Sequence, residues 1–238
     1  MKSMDPYAFQ NIYLITTYRC NWKCSFCLFR FNEEKETSVD EILRRLKYAI
    51  EHSKKRVYIK ITGGEPFLRP DLLEAVVDFS NAHADHIYKI GIGSNGSIPV
   101  PGFFSRLKIR TNIFLSRHAI KDKLPTPSDL TRFENTLIDF RVNCNLIKGG
   151  VDSLSRIEQY IRERIKQGIT HFCFRELSKV DIDVNLMYSR QIYKYIDYYE
   201  KHLIPVVEIM NELDKNPRFH SSRITGNYYD TNRWYWYD

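Results

Sequence analysis

The sequence predicts an α/β fold built from consecutive βα units, and three observations carry that expectation. Short β-branched or aromatic runs recur from residue 11 onward at a spacing of roughly thirty residues, the rhythm of βα repeats. The segments between them place apolar residues at helical intervals. Three motifs, a cysteine triplet, GGEP and SNG, each follow one of the first three runs, where α/β folds gather chemistry at the carboxyl ends of their strands.

The predicted strands are NIYLITT (11–17), RVYIKIT (56–62), HIYKIGIGS (86–94), LKIRTNIFLS (107–116), RVNCNLI (141–147) and THFCFREL (170–177). SVDEILRRLKYAIEHS (38–53) opens with Ser38 and Glu41 at capping-box spacing and sets Ile42, Leu43, Leu46, Ala49 and Ile50 on one face, so a helix is expected. PDLLEAVVDFSNAHA (70–84), SDLTRFENTLIDF (128–140) and SLSRIEQYIRERIKQG (153–168) repeat that spacing, the last ending at Gly168, where a left-handed cap is expected. PVPGFF (99–104) holds too much proline and glycine for a full helix. A helical stretch from about 186 should break or kink at Pro205, and RITGNYYDTNRWYWYD (223–238) reads as a two-stranded hairpin. From residues alone, the six units fit either an open doubly wound sheet or part of a barrel.

A chain of 238 residues suits one sizeable domain. MKSMDPYAFQ has no apolar signal region, and no run approaches the ~18 apolar residues of a membrane span, so a soluble cytoplasmic protein is expected. Five cysteines, an odd number with three in eight positions, favour a metal or redox role over a disulfide framework. Lys and Arg number 36 against 29 Asp and Glu, giving a formal net charge of +7; this suits an anionic substrate, a nucleic acid or an acidic peptide, as well as a plain solvated basic surface.

The triplet Cys20, Cys24 and Cys27 forms C-x3-C-x2-C in TTYRCNWKCSFCLFR (16–30). Electron-transferring 4Fe-4S clusters take four cysteines; three leave one iron open to a cosubstrate. Trp22, Phe26 and Phe29 would shield such a cluster. A zinc site completed by His118 or His171 is the alternative. In ITGGEP (61–66), Gly63 and Gly64 remove Cβ atoms that would hold a ligand off the main chain, Pro66 fixes the backbone direction, and Glu65 stands where a carboxylate could accept from a ligand ammonium.

Together the two motifs resemble the radical S-adenosylmethionine (SAM) superfamily, with its CxxxCxΦC loop (Φ aromatic, here Phe26) and GGE after the second strand. The resemblance implies a partial (β/α)6 TIM-like barrel over residues 1–180; the tail falls outside it, and 181–238 is expected to be a C-terminal helical and hairpin extension packed on the core. It also implies one 4Fe-4S cluster on Cys20, Cys24 and Cys27, the open iron chelated by the amino and carboxylate groups of SAM. Ser94, Asn95 and Gly96 match the turn after strand three and FLSRHAI (114–120) the fourth-strand segment, so Asn95 and Ser116 are candidate SAM contacts. RVNCNLIKGG and ITHFCFREL look like strands five and six of the branch that holds the molybdenum-cofactor GTP cyclase and many peptide-modifying relatives.

Period-two alternation puts Arg141, Asn143 and Asn145 on one face of strand five; turned inward, Asn143 contacts SAM or substrate, and turned outward it is solvated. Lys60 matches a basic substrate-holding position of the GTP cyclase, against the alternative of one solvated charge; Arg175 and Glu176 point opposite ways, so at most one faces the cavity. Cys144 and Cys173 read as buried apolar thiols, and His118 as structural. No cysteine follows Cys173, so no auxiliary cluster is expected, which weakens transfer of the cyclase reaction. The aromatics Tyr228, Tyr229, Trp234, Tyr235, Trp236 and Tyr237 are expected to cover the barrel's open edge, or else to stack on a substrate. The function expected is a radical SAM enzyme acting on an organic substrate, a ribosomal peptide first, with a nucleotide, deazapurine or RNA as alternatives. An external one-electron donor of flavodoxin or ferredoxin type is implied, and no membrane partner. The alternative outside catalysis is an iron-sulfur or zinc binding module.

Overall fold

The computed structural model describes residues 9–27, 36–100, 102–118, 137–166, 168–177, 192–217, 219–226 and 229–236. Strands β1 (Phe9–Ile15), β2 (Arg56–Thr62), β3 (Ile87–Ser94), β4 (Thr111–Ser116), β5 (Ile138–Asn145) and β6 (Phe172–Arg175) form one six-stranded sheet in sequential order, every neighbouring pair parallel. A doubly wound sheet reverses its strand order at a switch point; here the order never reverses. Right-handed crossovers then put the connecting helices on one face, and the sheet is a partial TIM-like barrel.

Alternation of burial separates the two faces. Along β4, Thr111, Ile113 and Leu115 are buried while Asn112, Phe114 and Ser116 are half-buried. The first set joins Ile59, Ile61, Ile90, Ile92, Val142 and Cys144 in the core with the helices. The second set lies on the inner face, away from that core, with Lys60, Gly91, Arg141 and Asn143.

Helix α1 (Val39–Glu51) starts where Ser38 Oγ accepts from Glu41 N, and buries Ile42, Leu46 and Ile50, one turn apart. Glu41 turns its carboxylate to Arg44 and Arg45. Helix α2 (Pro70–Ala82) opens on a proline whose missing N–H costs nothing there, and buries Leu72, Leu73, Val76 and Val77. Helix α3 (Leu154–Ile165) buries Ile157, Tyr160 and Ile161, and Gly168 follows at φ +80°, the left-handed stop expected of it. Between β3 and β4 a single 3-10 turn, Phe104–Arg106, replaces a crossover helix.

Strand limits differ from the expectation where the core or the rim claims residues. Helical spacing over 128–140 predicted a helix; residues 128–136 lie outside those described, and Ile138–Phe140 instead extend β5 to pair with the first residues of β4. At the other end, Thr16 and Thr17 leave the first strand to hold the neighbouring loop. After β6, α4 (Ile192–His202) and α5 (Val206–Lys215) are divided at Pro205, which caps α5. Ile204, Ile209 and Leu213 share the main core. Strands β7 (Phe219–Gly226) and β8 (Tyr229–Trp236) form the expected antiparallel hairpin, although the expected aromatic cover, from Tyr228 to Tyr237, falls on side chains outside those described. No described helix is long and apolar enough to cross a membrane.

Leu72→Ala should lower the unfolding free energy by about 2–5 kcal/mol, because it leaves a cavity in the α2 contact with the sheet. Val207→Ala, at an exposed site, should stay within about 0.5 kcal/mol; urea unfolding of both variants checks the contrast.

Candidate functional site

The cysteine loop is fastened to the end of β2 by its main chain. Thr16 N donates to Thr62 O at 3.0 Å, Gly64 N to Thr17 O at 2.7 Å, and Glu65 N to Arg19 O at 2.8 Å. A Cβ on Gly64 would lie 2.0 Å from Arg19 O, and one on Gly63, whose φ is +140°, would lie 2.3 Å from Thr17 O. The glycines were expected to make room for a ligand. In the structure they make room for the root of the cysteine loop. Glu36 locks the same root from outside, accepting from Thr17 Oγ1 and from Arg19 Nε and Arg69 Nη1 at 2.8 and 3.2 Å; these bonds hold its carboxyl below the usual range.

Glu65 is fully buried. Its Oε1 accepts from Ser94 Oγ at 2.8 Å and Phe67 N at 3.1 Å, and its Oε2 from Asn95 N at 2.7 Å. The carboxylate pictured meeting a ligand ammonium therefore joins the GGEP and SNG loops. Burial raises its pKa even against those three hydrogen bonds. Pro66 opens the buried 3-10 turn Pro66–Leu68 just beyond.

Asn95 likewise spends its side chain on protein. Nδ2 donates to Asn21 Oδ1 at 2.8 Å and, more weakly, to Cys20 Sγ at 3.7 Å, while Oδ1 accepts from Ser97 N and Oγ. Trp22 N also approaches Cys20 Sγ, at 3.4 Å. Cys20, Cys24 and Cys27 form no disulfide and are half-buried, with Cys27 N bonded to Cys24 O in a turn between the last two. Burial pushes the Cys20 thiol up, with Glu65 and Cys27 adding to the shift. A bound cation reverses that preference by stabilising the thiolate, and N–H donors at sulfur are the contacts that tune an iron-sulfur centre.

The zinc alternative finds no support in the geometry. His118 is buried; its Nδ1 accepts from Asn145 N at 3.0 Å and its ring meets the edge of Phe26 at 4.5 Å, so the ring is a packing element. Burial pulls it down to about 4, and Arg117 and Arg175 add to the effect. His171 is exposed, and among the described residues no three His, Cys, Asp or Glu side chains form a single-ion site.

Arg117, within the quoted FLSRHAI but not singled out, closes the rim. It is 2% exposed, yet its Nε and Nη2 have no hydrogen-bond partner. Nη1 donates to Asn95 O and to Ser116 O, and the guanidinium lies 5.7 Å from the Trp22 ring centroid. Burial pulls it down to about 10, still cationic at neutral pH. Two buried cationic donors aimed beside the cysteine loop fit a carboxylate group. The only sequence signal was a charge directly after a strand.

Of the remaining candidates, Ser116 and Asn143 are paired across β4 and β5 on the inner face, and Asn143 Oδ1 is buried without a partner. Lys60 Nζ donates to Tyr13 OH at 3.0 Å on that face. Cys144 is buried, as expected, but Cys173 is half-exposed opposite Asn143 and accepts from Arg175 Nε at 3.5 Å. Its expected burial fails because register puts it on the inner face with Asn143, whereas Cys144 points into the core with the helices. Arg175 itself is exposed. Phe29 lies outside the described residues.

The Radical SAM superfamily matches residues 14–123. That match is to a radical SAM domain and covers a little under half of the chain. Such domains are catalytic and use a 4Fe-4S cluster with SAM. A GTP 3',8-cyclase of Helicobacter pylori (strain HPAG1) is 28% identical over 158 residues, 64% of this chain and 42% of the cyclase, so the chain spans less than half of that relative's length. Two solved structures share the fold: anSMEcpe with AdoMet and the Cp18Cys peptide, at TM-score 0.59 and 16% identity over 79% of this chain and 58% of that one, and Streptococcus suis SuiB with S-adenosylmethionine, at TM-score 0.54 and 20% identity over 81% and 48%.

Gly64→Ala should displace the cysteine loop and lower the iron and sulfide bound on anaerobic reconstitution, readable by metal and sulfide analysis beside a thermal melt. For His118, the folded value lies below the unfolded 6.5, so its share of stability is present above pH 6.5 and lost as pH falls toward 4, about 3 kcal/mol in all. His118→Asn should flatten urea midpoints between pH 7 and pH 4.5 relative to wild type.

Proposed function

We propose that this chain is a radical SAM enzyme whose Cys20, Cys24 and Cys27 hold one 4Fe-4S cluster and whose rim holds SAM. The observation that carries the reading is the meeting of the cysteine loop, GGEP, SNG and Arg117 in one hydrogen-bonded rim at the strand ends. Cys20, Cys24 and Cys27 would hold the cluster, which when bound and reduced would supply one-electron cleavage of the SAM carbon-sulfur bond and so the means to abstract hydrogen from a substrate.

The protein's part is positioning and exclusion of water. Arg117 offers its two unmatched donors to the SAM carboxylate. Gly63, Gly64, Glu65 and Pro66 set the edge of the cofactor space, Phe26 closes it against His118, and Asn95 keeps SNG against the cysteine loop. Ser116 and Asn143 lie where the rim meets the inner face and contact cofactor or substrate there. An external flavodoxin- or ferredoxin-type donor would supply the electron.

Two substrate classes have support. The solved relatives include peptide-bound structures, in line with a ribosomal peptide; the cyclase relatives and the basic inner face, including Lys60, favour a nucleotide-class substrate.

Anaerobically reconstituted wild-type chain, reduced with dithionite in the presence of SAM, should yield 5'-deoxyadenosine, and Cys24→Ala should abolish both that product and the brown cluster absorption. Purified protein holding tetrahedral zinc and no cluster would sink the reading. Arg117→Gln should keep the cluster absorption but weaken SAM binding about tenfold, the scale of a lost charge-assisted contact; equilibrium binding measures it.

A further inference from the structure

Below the rim, the inner face carries converging positive charge. Lys60 on β2 and Lys89 on β3 both stand over the Tyr58 ring, their Nζ atoms 5.0 and 4.8 Å from its centroid. Arg141 on β5 lies over Phe114 of β4, 4.3 Å from guanidinium carbon to ring centroid. The two rings meet at Gly91, where an added Cβ would come 2.6 Å from Tyr58 Oη and 2.9 Å from the Phe114 ring. These side chains make one continuous floor from β2 to β5.

The carboxylate felt by Lys89 is shared with another cation. Asp139 of β5 is engaged by Arg110 Nη2 at 3.2 Å. Among the described residues, the ion pairs include no carboxylate on Lys60 or Lys89. Burial pulls Lys89 below its ordinary value; Arg110, Arg141 and Lys60 repel it further and Asp139 offsets part of that, so the cations are close enough to oppose one another. Asn112, one strand position below Phe114 on this face, has a buried Oδ1 with no hydrogen-bond partner.

Ring faces can flank an ammonium, but they accept none of its hydrogen bonds with the strength of an anionic oxygen. Half-buried cations that repel one another are relieved by a compact, multiply charged anion. An acidic peptide fits less well, because an extended chain sets its same-face charges roughly 7 Å apart. We infer that the substrate carries a phosphate-class anionic group, seated on this floor by Lys60, Lys89 and Arg141, with Asn112 accepting from its uncharged part. The inference rests on the reading of the inner face as the substrate side and chooses the nucleotide class over the peptide.

The test is calorimetric binding of tripolyphosphate to the anaerobically reconstituted full chain. Lys60→Gln and Lys89→Gln should each weaken binding about tenfold. Lys201→Gln, which removes the same charge from an exposed residue paired with Asp197, should leave binding unchanged. Lys89→Arg keeps the charge and should keep binding, which separates charge loss from misfolding. A nucleoside triphosphate should compete with tripolyphosphate, and a hexaglutamate peptide should not. Absence of binding to wild type, equal weakening by Lys201→Gln, or displacement by hexaglutamate each overturns the inference. A wild-type chain that cleaves SAM but ignores tripolyphosphate defeats this inference alone; one that binds tripolyphosphate but forms no 5'-deoxyadenosine defeats only the radical SAM reading.

Discussion

The close approach of Gly64 to the main chain of Arg19 is the constraint on which the site depends. A side chain at Gly64 would overlap the Arg19 carbonyl, and Gly63 is equally tight against Thr17. Without that contact, Gly64 N could not reach Thr17 O, nor Glu65 N reach Arg19 O. These two bonds set where the cysteine loop leaves β1, and hence where its thiols stand relative to SNG and Arg117. The glycines expected to admit a ligand also form a joint between two loops.

Glu65 shows how such a joint is held. Placing a carboxylate out of water costs several kcal/mol even after relaxation. Three hydrogen bonds to a charged acceptor return about 1.5–3 kcal/mol each. The two sides nearly cancel, and the upward direction of the Glu65 pKa says that burial has the edge. The residue therefore contributes position more than stability: Ser94 Oγ, Asn95 N and Phe67 N can all be satisfied only when the GGEP and SNG loops stand in one arrangement. Asn95 extends that arrangement to Asn21 and the sulfur of Cys20.

Backbone-level features were legible in the sequence because they depend on local chemistry. The period of β2, the Ser38 cap, the stop at Gly168 and the break at Pro205 each follow from a few adjacent residues. The three motifs also revealed their shared edge, since βα order alone places it. Side-chain destinations were less legible. Glu36 sits in the charged run NEEKET, which reads as solvent-facing, yet Arg19 and Arg69 capture it from two separate segments. Arg117 shares its stretch with Ser116, and only the fold shows that it turns inward and keeps two donors unmatched. Cys144 and Cys173 are alike in sequence context, but one lies on the core face of the sheet and the other, level with Asn143, on the inner face. Each of these outcomes depends on what packs above the residue, which a local pattern does not contain.

The rim and the floor divide recognition by depth along the strands. Register puts Lys60 level with Gly91 and Asn112, two positions below Thr62 and Phe114, with Ser116 and Asn143 a further two positions up. A cation at each level, Arg117 at the rim and the Lys60, Lys89 and Arg141 group beneath it, draws anionic groups to both ends of the inner face. Between them lie Ser116 and Asn143, groups of low charge. A ligand fixed electrostatically at both ends has its middle held there with little freedom to drift, and holding an unactivated C–H bond in register with a short-lived radical is the task that positioning has to solve. The excess of basic residues thus acquires a structural meaning at these particular strand positions, where a uniformly solvated basic surface would have produced no such layering.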